Sequence, residues 1–142
     1  MSILDCCAER VVAVNEAESL ATAVGEMHRQ NVGAVVVVGS GPMASRPVGI
    51  LTDRDVLKGE LRLKKDLFAL SVQEVMTRDP VTLPEDCEIG TGIGQLRLAG
   101  VRRAPVVNRQ GDLVGLVCID DLIPLIASEL SALAAVVHRR AA

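Results

Sequence analysis

With 142 residues, 49% of them apolar, the chain can bury one compact core or two small ones packed together, but not two independent large domains. Its charged residues, 23% of the total and −3 in formal sum, are interspersed, so no basic face is offered to nucleic acid. Cys6, Cys7, Cys87 and Cys118 lack CxxC spacing and His28 and His138 lie far apart, which leaves no zinc-ligand pattern.

The start of the chain carries no basic stretch followed by an apolar run and a small-residue cleavage site, so a cytoplasmic protein with reduced thiols is expected. Cys6 and Cys7 stand near an end expected to be flexible, where oxidants can reach a thiol. From Val12 an internal repeat begins: Val12 to Val38 aligns without a gap on Val81 to Val107. In each copy a short β-like run leads through an acidic turn into apolar residues at helical spacing, Leu20, Val24 and Met27 in the first and Ile89, Ile93 and Leu96 in the second. A small-residue break at Asn31 or Gly100 is followed by a Val-rich run too short for a helix, Val32 to Val38 or Val101 to Val107. A hairpin turn follows, longer in the first copy, and then a third strand, Val48 to Leu51 or Leu113 to Val117. An apolar-periodic helix opened by an acidic turn closes each unit, Asp53 to Leu61 or Asp120 to Val137.

The expected fold class is therefore α/β (α+β), a tandem of β-α-β-β-α repeats over residues 1–74 (core about 12–70) and 75–142. A unit of about 60 residues is marginal alone, so the two copies are expected to pack face to face, with ligand-sized crevices between them. Gly90, Gly92 and Gly94 fall inside the second copy's first helix, which is expected to be frayed or closely approached there. The C-terminal helix carries Leu122, Ile126, Leu130, Leu133 and Val137 on one stripe, ends in His138, Arg139 and Arg140, and is expected to pack on a partner subunit or across the globule. Its apolar region, broken by Pro124, Ser128, Glu129 and Ser131, is too short and polar to span a bilayer.

Chemistry concentrates where the third strand meets the last helix, in GILTDRDVL (Gly49 to Leu57) and GLVCIDDLI (Gly115 to Ile123). Thr52 and Asp55 stand three apart at a helix start, so a hydroxyl and a carboxylate can converge on one ligand beside free backbone N–H groups, the carboxylate accepting both hydroxyls of a ribose. The same spacing also writes a capping box, in which Thr52 caps the helix and Asp55 reaches back to its amide. Both readings stand. GTGIG (Gly90 to Gly94) lacks the third glycine of a dinucleotide loop, since Gln95 occupies that place. No nucleophile with an adjacent base and no metal cluster is present, so no enzyme is expected.

At Gly49 to Asp55 (G-h-h-T-x-x-D), at VMTRDPVTL (Val75 to Leu83) and at VRRAPVVN (Val101 to Asn108) the chain resembles the CBS domains, named after cystathionine β-synthase, which occur as tandem pairs. The resemblance covers roughly Val12 to Ile126. It implies a pseudo-two-fold pair with two clefts, each able to hold AMP, ADP, ATP or, in some members, NAD or S-adenosylmethionine. By the family pattern Thr52 and Asp55 hold a ribose and work with Thr77, Val81, Val101 and Arg102, while Arg54, Arg102 and Arg103 suit phosphate through their planar donor forks. The second cleft would use Asp121, Arg103, Val12 and Val32, but Cys118 replaces the usual hydroxyl and a thiol donates hydrogen bonds poorly. The resemblance further implies a homodimeric regulatory module acting on a protein encoded elsewhere. The alternative is an interaction module whose clefts are non-functional.

Overall fold

A computed structural model describes residues 1–7 and 11–141, with backbone alone for Arg140 and Ala141, so the reading of the Arg140 side chain lies outside the described residues. The first repeat runs β1 (Ala13–Asn15), α1 (Leu20–Gln30), β2 (Ala34–Val38), β3 (Pro47–Thr52) and α2 (Asp53–Leu63). A one-turn helix α3 (Val72–Val75) and β4 (Thr77–Arg78) lead into β5 (Leu83–Pro84), α4 (Ile89–Ala99), β6 (Arg103–Val107), β7 (Leu113–Cys118) and α5 (Ile119–Ala141). The β-α-β-β-α order expected for each copy is present twice. In each, a short first strand pairs parallel with the second, which pairs antiparallel with the third.

Local chemistry sets the ends of the elements. Asn31 and Gly100 close α1 and α4 in the left-handed conformation, at φ 52° and 68°, which turns the chain from helix into the next strand. Ser19 opens α1 by accepting a hydrogen bond from the Thr22 amide at 3.1 Å. Valine fills β2, where Val35, Val36 and Val37 are all buried. The α4 helix is continuous through its three glycines: Gly90 and Gly94 have open space around them, whereas a Cβ at Gly92 would lie 2.9 Å from Ile3 Cδ1. Close approach, not fraying, is what Gly92 permits.

Ile3 belongs to a feature the sequence reading missed. Residues 2–7 are packed, not flexible: Leu4–Cys6 form a 3₁₀ turn, the Ile3 amide donates to Cys87 C=O at 2.7 Å, and Ile3 and Cys6 are buried with Leu83, Leu96, Val106, Val117 and Leu122. Although these residues precede the first repeat in the chain, they complete the second repeat's core. Residues 71–78 do the reverse, placing Val72, Val75 and Met76 in the core of the first repeat and pairing β4 with β3. The two leading turns are built alike. The Ser2 amide and hydroxyl donate to Asp5 Oδ2 at 2.8 and 2.9 Å, and the Ser71 amide and hydroxyl donate to Glu74 Oε2 at 2.7 and 3.1 Å. Each repeat thus lends its first turn to the other, and the two cores are stapled through the chain.

The longer first hairpin loop also reaches across: Ser45 C=O accepts from the Leu113 amide at 2.8 Å, and the Arg46 guanidinium donates to Gln110 C=O at 2.9 Å. The α5 helix does not fold back across the globule. Beyond Leu122 all its described side chains are exposed. Among the described residues no helix is long and apolar enough to cross a membrane.

Candidate functional site

Two clefts open between the repeats. The larger, of about 440 Å³, is walled on one side by Ile50, Thr52, Asp53, Arg54 and Asp55 at the β3–α2 junction, with Thr77 from β4, and on the other by Val101, Arg102 and Arg103 at the start of β6. Of the residues singled out in sequence for this cleft, Thr52, Asp55, Arg54, Thr77, Val101 and Arg102 come together. Val81 does not line it: β5 holds only Leu83 and Pro84, and Val81 sits outside that strand, 38% exposed.

At the junction Thr52 ends β3 in extended conformation and caps α2. Its hydroxyl accepts from the Asp55 amide at 3.1 Å, and Asp55 Oδ2 accepts from the Thr52 amide at 3.0 Å. The capping box is real, and it leaves ligand chemistry available. Asp55 keeps Oδ1 entirely, and Thr52 keeps its hydroxyl proton, so the cap holds the two groups toward the cleft without using them up. Across the cleft the Arg102 guanidinium donates to Asp120 Oδ1 at 2.6 Å. Five N–H donors in a rigid fork leave further donors for an anion. Arg103, expected in the smaller cleft and as a phosphate ligand, lines both clefts. Ala34 and Gly33 stand at the equivalent places in the first repeat, so the paired arginines come from the second repeat only.

The smaller cleft, of about 230 Å³, gathers Val12, Val32, Arg103, Cys118 and Asp121, with Val11, Gly33, Ala34 and Leu116. Its chemistry differs. Cys118 occupies the position of Thr52, and its thiol lies 3.8 Å from Asp120 Oδ2. Sulfur is a weak acceptor, and among the described residues no reciprocal cap forms between Cys118 and Asp121. Cys7 lies beneath this cleft. Burial pushes its thiol up to about 11, with smaller upward contributions from Cys6 and the Asp121 charge. Cys6, also raised by burial, is almost wholly enclosed. Both thiols are held protonated, and the reading of them as exposed oxidant targets gives way. Cys6 lacks access, and both Cys6 and the half-buried Cys7 lack the thiolate that oxidation needs.

A third hollow of about 570 Å³ lies on the outer face of the first repeat, between α1 and α2, lined by Val24, Met27, His28, Asn31, Val32, Gly33, Asp53, Val56 and Leu57. It lies within one repeat and lacks the opposed arginines.

A family model described as CBS domain matches residues 3–62 and 72–128, each match starting within a leading turn. An uncharacterized 17.7 kDa protein of Acidianus ambivalens is 33% identical over 113 residues, spanning 80% of this chain and 65% of that protein. An uncharacterized protein of Methanopyrus kandleri is 26% identical, over 80% of this chain and 56% of its own length, so the chain spans less than two thirds of these curated relatives. Among solved structures, a CBS domain protein from Pyrobaculum aerophilum complexed with AMP superposes with a TM-score of 0.78 at 23% identity, covering 93% of this chain and 99% of that one.

Proposed function

The chain belongs to the CBS domain family, and we propose that it is a non-catalytic regulatory module that binds an adenosine-containing nucleotide in the cleft between its two repeats. The observation that carries this reading is the Thr52–Asp55 pair, held by its own cap at the start of α2 and facing Arg102 and Arg103 across a cleft of about 440 Å³. That volume falls within the range of small-ligand sites. In this reading the Asp55 carboxylate takes the ribose hydroxyls, Thr52 and Thr77 add polar contacts, Val101 and Ile50 flank the base, and Arg54, Arg102 and Arg103 meet phosphate. A structure of the same fold complexed with AMP supports the ligand class. ADP, ATP, NAD and S-adenosylmethionine share the adenosine that this half of the cleft would read.

Occupancy would bridge the two repeats and stabilise one packing of them, and so alter the surface that a homodimer or a separately encoded protein meets. The Cys118 cleft favours a second reading for that site alone, as a non-binding relic. Calorimetric titration of wild type and Asp55→Ala with AMP, ADP, ATP, NAD and S-adenosylmethionine tests the proposal. One ligand binding the wild type and losing at least tenfold affinity in the variant is the expected result. Absence of binding by ligand-free wild type, or equal binding by both proteins, overturns it.

A further inference from the structure

We propose that α5 beyond the globule is one half of an antiparallel two-helix coiled coil formed with a second copy of this chain. Among the described residues, the core of the second repeat takes only Leu122 from this helix, and the family match stops at residue 128. From Ile123 to Arg139 every side chain is exposed. A helix of this length is held in water by packing of an apolar face and not by propensity. Ile123, Ile126, Leu130, Leu133 and Val137, 44 to 67% exposed, recur at alternating steps of three and four. Those steps lay one apolar stripe of two heptads along the helix, a seam that a second helix can cover.

Charge identifies the occupant and its direction. The helix starts with Asp120 and Asp121 and ends with His138 and Arg139, while the seam between carries one charge, Glu129. An antiparallel second copy brings each basic end to within about a turn of the other's acidic first turn and opposes the two helix dipoles. With Leu130 against Leu133 of the second copy and Ile126 against its Val137, Glu129 falls beside Val136, so no like charges meet. Ala127 and Ala134 flank the seam and let the backbones close. A parallel pair would instead bring the two basic ends together and align the two helix dipoles.

This gives a surface to the dimer proposed above and stands apart from nucleotide binding. Sedimentation equilibrium of the full chain is expected to give twice the 15.0 kDa monomer mass, falling to one monomer in Leu130→Glu and Leu133→Glu with the thermal transition of the globule retained. Independently, the double variant Ile126→Cys/Val137→Cys should cross-link on oxidation beyond the wild-type background, and Val137→Cys alone should not. A dimer that survives both glutamates leaves a dimer but overturns this seam. A monomeric wild type overturns both, and efficient cross-linking by Val137→Cys alone overturns the antiparallel order.

Discussion

Thr52 and Asp55 hold each other in place: each side chain accepts a hydrogen bond from the other's backbone amide, at 3.1 and 3.0 Å. Helix capping and ligand binding, which compete when only their spacing is known, therefore coexist at this junction. Asp55→Ala should lose the carboxylate offered to the ligand and only the reciprocal half of the box, since the Thr52 hydroxyl still accepts from the residue 55 amide, so about 0.5–1.5 kcal/mol of stability goes with one hydrogen bond. Asp55→Asn keeps an oxygen for the Thr52 amide but puts an NH2 donor where the second carboxylate oxygen would accept a ribose hydroxyl. It should melt close to wild type while binding nucleotide at least tenfold more weakly, measured by calorimetry beside a thermal melt.

Cys118→Thr restores a hydroxyl that can accept the Asp121 amide and present a donor to the smaller cleft. If the thiol is what disables that site, nucleotide stoichiometry should rise from one to two per chain. An unchanged stoichiometry would place the obstacle in the size of the cleft.

Ile3 is fully buried in the second core, so the end of the chain is a structural part. Ile3→Ala should destabilise by about 2–5 kcal/mol, as large-to-small core substitutions do. Urea denaturation reads this directly; a change within the noise would mean residues 2–7 are not bound to the second repeat in solution.

How much of this was legible depended on what kind of signal each residue leaves. Asn31, Gly100 and the Thr52–Asp55 spacing have local meaning, and the strands and helices around them could be placed from it. The leading turns were not legible. SILDCC and SVQEVM share one identity, and cysteines at positions 6 and 7 stand where valine and methionine fill the other core. Nor does periodicity state which repeat a turn will join, because exchange and self-packing bury the same side chains. The role of Arg103 beside both clefts depends on how β6 is set between the repeats, and no local pattern encodes that.

Glycines separate tight approaches from open ones. A Cβ at Gly49 would lie 2.6 Å from Met76 Sδ and 2.9 Å from Thr77 C=O, where β3 receives the strand exchanged from the second repeat. Gly49→Ala should cost about 1–3 kcal/mol through overpacking. Gly94→Ala, with nothing within 4 Å in the middle of α4, should stabilise by about 0.5–1 kcal/mol. Thermal melts of the pair should move in opposite directions.

Acid should loosen the leading turns. Hydrogen bonds from the backbone amides of Ser2 and Ser71, and secondarily from their hydroxyls, hold the Asp5 and Glu74 carboxyls below their ordinary values of 3.8 and 4.5. The folded carboxylates bind protons more weakly than the unfolded ones, so their stabilisation is full above those values and disappears as pH falls through the lowered ones. The melting temperature should drop on acidification below about pH 4.5, and Asp5→Asn combined with Glu74→Gln should flatten that part of the profile.

The exchanged turns also dictate an order of events during synthesis. The first sheet lacks its fourth strand until residues 77 and 78 have emerged, and the pocket for Ile3 needs Leu122 at its far wall. Contacts so distant along the chain form late and slow the search for the native state. Ile3, synthesised before every strand and helix it packs against, is among the last to find its place, and until then the second core stays open on that side.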